Sequence, residues 1–151
     1  MENNIDIELE DSSGYLINFI NINMKRYYDL QLKKYDITIL QFGILINIYK
    51  NNVTTQKELI KYITGDEASI TRLVNRLESK NLLKRVSDKD DKRKKRLELT
   101  SKGEELIQEL IPIAHTGNQK LTSDLEPDEA KELLRLLQKV SITIDRETDK
   151  L

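Results

Sequence analysis

The sequence predicts a mainly α-helical protein with one small β-hairpin, an α+β fold class. Over most of the 151-residue chain, apolar residues recur every three or four positions, which is the spacing of one face of a helix. Three Ser/Thr-x-x-Glu/Gln sequences mark helix starts, because the first and fourth side chains of this motif cap each other's backbone. One pair of short segments, 82–86 and 96–100, alternates as strands do.

Composition narrows the class of protein. With 38% hydrophobic residues the chain can bury a core, and 34% of its residues are charged. It has no cysteine and a single histidine, His115, so disulfides, thiolate metal sites and a cysteine nucleophile are excluded. The sequence shows no nucleophile–base pair, glycine-rich phosphate loop or metal-ligand spacing. We therefore expect no enzymatic activity, no cofactor and no metal.

The distribution of charge is more informative than its total. The net charge is −1, yet residues 84–96 hold eight basic and three acidic residues, a net +5, whereas residues 104–151 carry −5. This concentration of positive charge indicates a local site for a polyanion. No apolar run is long enough to span a bilayer, and the acidic start MENNIDIELED is unlike a signal peptide. A cytoplasmic protein with no membrane partner is expected.

Two helices are predicted before residue 53. Residues 12–34 carry apolar residues at helical spacing, and Ser12 or its neighbour can cap that helix. Thr38 and Gln41 form a capping box that opens a second, largely apolar helix, which Asn51-Asn52 ends because asparagine tolerates a left-handed backbone. Val53 is a candidate for a short strand.

The next two helices have the helix-turn-helix pattern. Thr55 and Glu58 open the first of them, the glycine-containing turn 64–66 follows, and Asp66 caps a helix over residues 66–80. The second helix has arginine, asparagine and serine on the face opposite its apolar stripe. The predicted inward residues are Leu59, Ile60 and Ile63 in the first helix, and Ile70, Leu73, Val74 and Leu77 in the second.

A charged hairpin and two long helices complete the chain. Asn81 precedes the hairpin at a position that favours a left-handed residue, and a hairpin directly after a helix-turn-helix makes a winged helix. Ser101 and Glu104 are expected to cap the next helix, which Pro112 should kink. A last helix should begin at Pro127 and run to about Thr148. Its predicted inward residues are Leu133, Leu136, Leu137, Val140 and Ile144.

The order of these elements and the segment ASITRLVNRLESKNLLKRVSDKDDKRKKRLELTSKGEEL resemble the multiple-antibiotic-resistance-regulator (MarR) family of winged-helix transcription factors. The specific part, residues 69–106, reads Ser-x-Thr-Arg-Leu-Val-x-Arg-Leu, then Leu-x-x-Arg, Asp-x-Arg in the wing and Leu-Thr-x-x-Gly after it. The resemblance covers essentially the whole chain, 1–151, as a single MarR-type domain. Asn81, where the family usually has glycine, is a departure that the cap argument tolerates.

The resemblance implies a homodimer that binds double-stranded operator DNA. Residues 12–35 and 101–148 would be dimerisation helices, and residues 37–100 would form the DNA-binding lobe. Recognition helices 66–80 would enter successive major grooves of a pseudo-palindrome, and wings 87–95 would reach the minor grooves. Such proteins are usually repressors that a small aromatic or anionic ligand releases. Apolar stripes on three long helices exceed what one lobe can cover, which also favours a dimer.

The recognition helix supplies the candidate base contacts. Arg72 and Arg76 are one turn apart and can donate to guanine or phosphate, and Asn75 can pair with adenine. Ser69 and Thr71 have hydroxyls suited to phosphates or base edges. A solvated helix face would have the same composition, but the basic segment behind it favours DNA binding.

The wing supplies the candidate minor-groove contact. Arg93 stands at the hairpin tip, and a narrow minor groove attracts arginine through its negative potential. The resemblance implies that Asp91 orients Arg93. Phosphate attraction is assigned to four lysines: Lys89, Lys92, Lys94 and Lys95. A charged hairpin that resists edge aggregation explains the lysines but not the clustering.

Two further site assignments have fewer sequence features behind them. Thr55 and Gln56 can bind a phosphate at a helix start, although a capping role explains them nearly as well. A ligand cleft could be lined by Tyr27, Tyr28 and Tyr35, although packing is the more frequent role of a tyrosine. The alternative function is a winged-helix interaction module that docks an acidic protein partner, because a fold does not fix its function.

Overall fold

The computed structural model describes residues 9–88 and 95–150, which contain six α-helices and one two-stranded antiparallel sheet. Short 3-10 turns precede and follow the first helix, at Leu9–Asp11 and Lys33–Tyr35. The chain divides into two compact units, with the boundary between His115 and Thr116. The helices are α1 (Ser13–Leu32), α2 (Ile39–Asn51), α3 (Gln56–Leu59), α4 (Glu67–Ser79), α5 (Ser101–Leu121) and α6 (Pro127–Thr148), and the strands are β1 (Leu83–Ser87) and β2 (Lys95–Leu99).

The core of the first unit lies beneath α4 and the hairpin. Apolar side chains from α2, α3, α4, β1 and α5 pack together there and exclude water, which is the main stabilising contribution to such a unit. Leu73, predicted to face inward, is half-buried at the edge of this core. The side chains with essentially no exposed surface include Ile44, Leu45, Leu59, Ile70, Val74, Leu77, Ile107 and Leu110.

Four predicted helix starts are confirmed; one is the capping box of Thr55 and Glu58, in which the Glu58 N–H donates to the Thr55 hydroxyl at 3.2 Å. Ser12 caps α1 by accepting from the Tyr15 N–H at 3.4 Å. Thr38 accepts from the Gln41 N–H at 3.3 Å, while the Gln41 side chain accepts from the Thr38 N–H at 3.1 Å. Asp66 accepts from the Ser69 N–H at 2.8 Å. Each cap satisfies a backbone donor that the first helical turn leaves without a partner.

The predicted left-handed residues are also confirmed. Asn52, which ends α2, has φ 51°, and Asn81, which precedes the hairpin, has φ 56°. Asparagine adopts this conformation more readily than other non-glycine residues because its short polar side chain can bond locally. Asn81 therefore performs the role that glycine usually has at such a position.

Four local predictions were wrong. Ile60 is exposed, because α3 ends at Leu59 and the chain then turns, so the inward helical spacing does not continue. Val53 is buried but lies in no strand; the carbonyl of its neighbour Thr54 accepts one hydrogen bond from the Leu97 N–H at 2.7 Å. The cap of α5 is Thr100 rather than Ser101, because the Thr100 hydroxyl accepts from the Gly103 N–H at 3.1 Å.

The fourth wrong prediction concerns α6. The helix starts with Pro127 and ends at Thr148 as predicted, and the Glu129 side chain accepts from the Glu126 N–H at 2.9 Å. Its apolar stripe, however, does not face inward: within α6, every residue of which the structure describes, no side chain is buried. In the single chain, Leu137 is 41% exposed and Ile144 is 60% exposed.

The hairpin is fixed to the core through its register. Leu83 pairs with Leu99, and Arg85 pairs with Leu97, so Leu83 and Leu97 point into the core from the same face. Gly103 is required where α5 begins, because a Cβ there would overlap the Leu82 carbonyl. α5 continues through Pro112 to Leu121. None of the described helices combines the length and apolar content needed to cross a membrane.

Candidate nucleic-acid interface

The exposed face of α4 is the candidate major-groove surface. Ile70, Val74 and Leu77 anchor the opposite face in the core with no exposed surface. Because residues three and four apart share a face of a helix, this anchoring turns Arg72, Asn75 and Arg76 outward, where all three are exposed. Gly65, with φ 142°, makes the turn into α4 and lies close to Ser69. The short turn and buried stripe therefore hold a polar helix face at the surface.

The acidic cap of α4, Asp66, is hydrogen-bonded within its own helix. The Asp66 carboxylate receives hydrogen bonds from the side chain and backbone of Ser69, and these bonds hold the pKa of Asp66 below its ordinary value. Arg72 donates from Nη2 to the Ser69 hydroxyl at 2.9 Å. The cap, the serine and the arginine thus form one connected group at the N-terminal end of α4.

A cluster around Arg85 connects α3, α4 and β1. The Arg85 guanidinium donates to Gln56 Oε1 from Nε at 3.2 Å and from Nη2 at 3.0 Å, and to Asn75 Oδ1 from Nη2 at 2.8 Å. It also forms an ion pair with Glu78, whose other oxygen accepts from the Arg85 N–H at 3.2 Å. We call Gln56, Thr71, Asn75, Glu78 and Arg85 the Arg85 cluster.

Thr71 joins the Arg85 cluster through Gln56. Gln56 Nε2 donates to the Thr71 hydroxyl at 2.9 Å, and that hydroxyl donates to the Glu67 carbonyl at 2.9 Å. Three of the predicted DNA-contacting residues, Gln56, Thr71 and Asn75, are therefore brought together by a residue that the site prediction did not include. The position of Arg85 in the sequence could have indicated this role. Arg85 lies on the same face of β1 as the buried Leu83, and a charged group that is partly buried there is stable only when it is paired.

Thr55 is engaged within its own capping box. Glu58 Oε2 accepts from the N–H groups of Thr54 and Thr55 at 2.9 Å each and from the Thr55 hydroxyl at 3.0 Å. These bonds, led by the Thr54 backbone bond, lower the pKa of Glu58 from its ordinary value. The Thr55 N–H proposed for phosphate thus already has a carboxylate partner.

The hairpin presents basic side chains up to the edge of its tip. Lys95 donates to the Ser87 hydroxyl at 2.8 Å. On the opposite face of the hairpin, Arg96 lies 3.8 Å from Asp88 and Lys84 lies 3.5 Å from Glu98. The remaining wing predictions lie outside the described residues: Lys89, Asp91, Lys92, Arg93 and Lys94.

The three candidate ligand-binding tyrosines lie in two places. The rings of Tyr27 and Tyr28 meet edge-on with centroids 5.4 Å apart, and the Tyr28 hydroxyl donates to the Ala114 carbonyl at 3.2 Å. Burial, with a contribution from Tyr27, raises the pKa of Tyr28. Tyr35 instead lines a cavity of about 380 Å³ together with Lys80 and Lys102. Across residues 9–88 and 95–150, no group of three or more His, Asp or Glu side chains is arranged to hold a metal ion.

The arrangement of α3, α4 and the hairpin defines a winged helix-turn-helix protein. The model of the MarR family matches residues 37–95. Over 128 residues, the chain is 32% identical to the multiple antibiotic resistance protein MarR of Escherichia coli, covering 84% of this chain and 89% of that protein.

Solved structures agree with the sequence comparison. The MepR–DNA complex from S. aureus superimposes with a TM-score of 0.77 at 28% identity, covering 87% of this chain and 98% of that one. A mutant E. coli MarR complexed with operator DNA superimposes with a TM-score of 0.74 at 32% identity, covering 84% of this chain and 91% of that one. The chain belongs to the MarR family of transcriptional regulators.

Proposed function

We propose that this protein is a homodimeric repressor that binds a pseudo-palindromic operator through α4 and the wing. The observation that carries the proposal is the exposed Arg/Asn face of α4, which a fully buried stripe holds outward. Similarity to MarR and MepR chains bound to DNA supports it. A helix held in this way fits the major groove of B-DNA, which is wide enough for one α-helix.

The proposed contacts divide by groove. Arg72 and Arg76 donate to guanine edges or phosphates, and Ser69 contributes a hydroxyl beside Arg72. In the wing, Arg93 enters the minor groove with Asp91 orienting it, while Lys89, Lys92, Lys94 and Lys95 attract phosphates. Thr55 and Gln56 lie at the start of α3, where their side chains bond to Glu58, Arg85 and Thr71, so a phosphate there would have to displace one of these partners.

The proposed dimer follows from two exposed apolar faces. In the single chain, α1 exposes Leu16, Phe19 and Ile20, and α6 exposes Leu137, Val140 and Ile144. Contiguous apolar surface of this kind is unfavourable in water and marks an interaction site. A second copy that covers both faces would place two lobes for half-sites about one helical turn apart, ~10 bp.

The proposed signal is a small aromatic or anionic ligand that releases the DNA. Three carboxylates, Asp36, Glu105 and Glu109, line the cavity beside Tyr35 together with two lysines, Lys80 and Lys102, which supply the positive charge for an anionic group. One of them, Lys80, is paired with Asp36 at 2.8 Å, so a ligand anion would have to displace that carboxylate. Tyr27 and Tyr28 form the second candidate contact.

The decisive experiment selects DNA fragments with the purified protein and measures binding of the selected operator by wild type and Arg93→Ala. We expect the affinity of Arg93→Ala to fall by at least about tenfold, while light scattering shows an intact dimer. Wild-type affinity should also fall steeply with salt, because several phosphates are neutralised per dimer.

The matched control is Arg135→Ala. Arg135 carries the same charge but lies on α6, in the second unit, where it pairs with Glu132 at 2.6 Å. This variant should bind the operator as wild type does. Equal affinities of Arg93→Ala and wild type would refute the wing assignment. Failure of the wild-type protein to select any DNA sequence at low salt would refute the proposed function as a whole.

A further inference from the structure

We propose that Arg85 is a positioning residue that fixes the base preference of Asn75. By drawing the Asn75 side-chain oxygen toward β1, Arg85 turns the amide so that its Nδ2 donor is left for an external partner, and Asn75 selects a base edge that accepts. This inference rests on the proposed DNA-binding function. It replaces the pairing of Asn75 with adenine that the sequence suggested.

The orientation of the Asn75 amide follows from the chemistry of its partner. A guanidinium group has five N–H donors and no acceptor, so the Asn75 atom 2.8 Å from Arg85 Nη2 must be the oxygen. With Oδ1 directed to Arg85, the Nδ2 amino group is the part of the exposed amide that remains for an external partner.

Arg85 is itself held in place by hydrogen bonds to three residues: Glu78, Gln56 and Asn75. Glu78 accepts from both its backbone N–H and its guanidinium, and Gln56 Oε1 accepts from two further guanidinium N–H groups. The side chain of Arg85 is 24% exposed, so these charge-assisted bonds are partly shielded from water. Only the planar fork of arginine can engage all three partners at once.

The same network assigns positioning roles to Gln56 and Thr71. Both polar atoms of the Gln56 amide are engaged, the oxygen with Arg85 and the nitrogen with Thr71. The single hydroxyl proton of Thr71 is donated to the Glu67 carbonyl. Gln56 thus links α3 to the Arg85 cluster, and Thr71 has no proton left for a phosphate.

As a result, the exposed face of α4 presents hydrogen-bond donors to the DNA. Arg72 and Arg76 only donate, and Asn75 held by Arg85 also donates. In the major groove, guanine offers two adjacent acceptors, N7 and O6, whereas adenine offers one acceptor, N7, beside a donor, thymine offers O4, and cytosine offers a donor. The bidentate contact with adenine needs the amide oxygen to face N6, and Arg85 turns that oxygen toward β1. The Asn75 position of each half-site should therefore be guanine, which offers two acceptors, rather than adenine.

The test is selection of randomised DNA followed by sequencing, with the full-length chain in four forms. Wild type gives the preferred operator, and Asn75→Ala identifies the Asn75 position as the one whose base preference is lost. Arg85→Met removes the guanidinium and frees the amide to turn. The matched control Lys84→Met removes the same charge from the neighbouring strand position, which faces Glu98 instead of α4.

We expect wild type to prefer guanine to adenine at the Asn75 position. Arg85→Met should raise the adenine-to-guanine ratio there by about fivefold or more, the discrimination that one bidentate contact provides. Lys84→Met should leave that ratio unchanged even if overall affinity falls with the lost charge. A change confined to one base position is not what a merely structural role of Arg85 would produce.

Several results would overturn the proposal. These are a wild-type preference for adenine at the Asn75 position, an unchanged ratio in Arg85→Met, an equal loss of preference at all positions, or no position that responds to Asn75→Ala. If thermal unfolding shows that Arg85→Met does not fold, Arg85→Lys replaces it, because lysine keeps a charge opposite Glu78 without the fork. Loss of folding in both would assign Arg85 a purely structural role.

The failure of the proposed function is distinguishable from these outcomes. If wild type, Lys84→Met and Asn75→Ala all fail to select any sequence, DNA binding itself is absent and the inference falls with it. If wild type selects a clear operator while Arg85→Met selects the same one, only the inference is overturned.

Discussion

α4 and α6 are both amphipathic helices, yet only α4 buries its apolar face within its own chain. Ile70, Val74 and Leu77 of α4 have no exposed surface. The corresponding stripe of α6 is open, with Leu137 41% exposed and Val140 45% exposed. The two sequences show similar helical periodicity. Helical periodicity therefore identifies an apolar face that must be buried, but it does not indicate whether the same chain or another molecule buries it.

The polar faces of the two helices differ as well. On α4, Asn75 and Glu78 bond to Arg85 on a strand, so the polar groups are fixed by another element. On α6, the ion pairs are local and exposed, such as Lys131 with Asp128 at 3.3 Å. Exposed pairs of this kind contribute little to stability. The rigid polar face of α4 suits base recognition, whereas the open apolar face of α6 suits association with a second copy.

The largest expected effect comes from placing a charge on the open face of α6. Leu137→Glu would bury an unpaired carboxylate in the proposed dimer interface, at a cost of about 3–5 kcal/mol for each uncompensated charge. We expect the variant to be monomeric by analytical ultracentrifugation at micromolar concentration, with its helical content unchanged by circular dichroism.

The matched control for Leu137→Glu is Ile142→Glu. Ile142 lies on the other side of α6 and is 70% exposed, so the same charge there should leave self-association unaffected. A Leu137→Glu variant that sediments like wild type would contradict the assignment of this face, and with it the contrast between α4 and α6.

The next largest effect, a loss of folding stability, should come from a substitution that creates a cavity under α4. Leu77→Ala removes a side chain with no exposed surface, and such a truncation costs about 2–5 kcal/mol of the free energy of unfolding. Urea unfolding in the Leu137→Glu background measures this without a contribution from association. The control Ile142→Ala should change the free energy of unfolding by less than about 0.5 kcal/mol. A similar loss of unfolding free energy in Leu77→Ala and Ile142→Ala would contradict the distinction between α4, whose apolar face is buried, and α6, whose apolar face is exposed.

Much of this architecture could be predicted because its signals are local. The caps at Ser12, Thr38 and Asp66 use backbone groups three residues away, and the left-handed Asn52 and Asn81 depend on their own side chains. Interactions of this range are contained in a short stretch of sequence. The order of the helices and of the two hairpin strands was therefore predictable from the sequence, and the boundaries of α4, β1 and β2 differ from the predicted ones by one residue. α3, by contrast, ends at Leu59, before the predicted inward residues Ile60 and Ile63.

What the sequence did not reveal depends on contacts between distant positions. Gln56 and Arg85 are 29 positions apart, and their hydrogen bonds exist only after α3, α4 and β1 have packed together. The burial of Ile60 was mispredicted because α3 stops after four residues, although the apolar spacing continues. Within the candidate site, the exposed positions of Arg72 and Arg76 follow from helical spacing, whereas the orientation of the Asn75 amide does not.

The smallest expected effect concerns the capping boxes that start helices in the two units. Glu58 accepts three hydrogen bonds at the start of α3, whereas Glu129 accepts the Glu126 N–H at the start of α6. Because the folded pKa of Glu58 lies below its ordinary value of 4.5, the carboxylate stabilises the fold fully above that pH. This contribution is lost as the pH falls through the lowered folded pKa. Glu58→Gln should therefore be less stable than wild type by roughly 0.5 kcal/mol at pH 7, as expected for an exposed group. The difference should shrink toward pH 3 in urea unfolding, and a difference that stays constant with pH would contradict this role of the carboxylate.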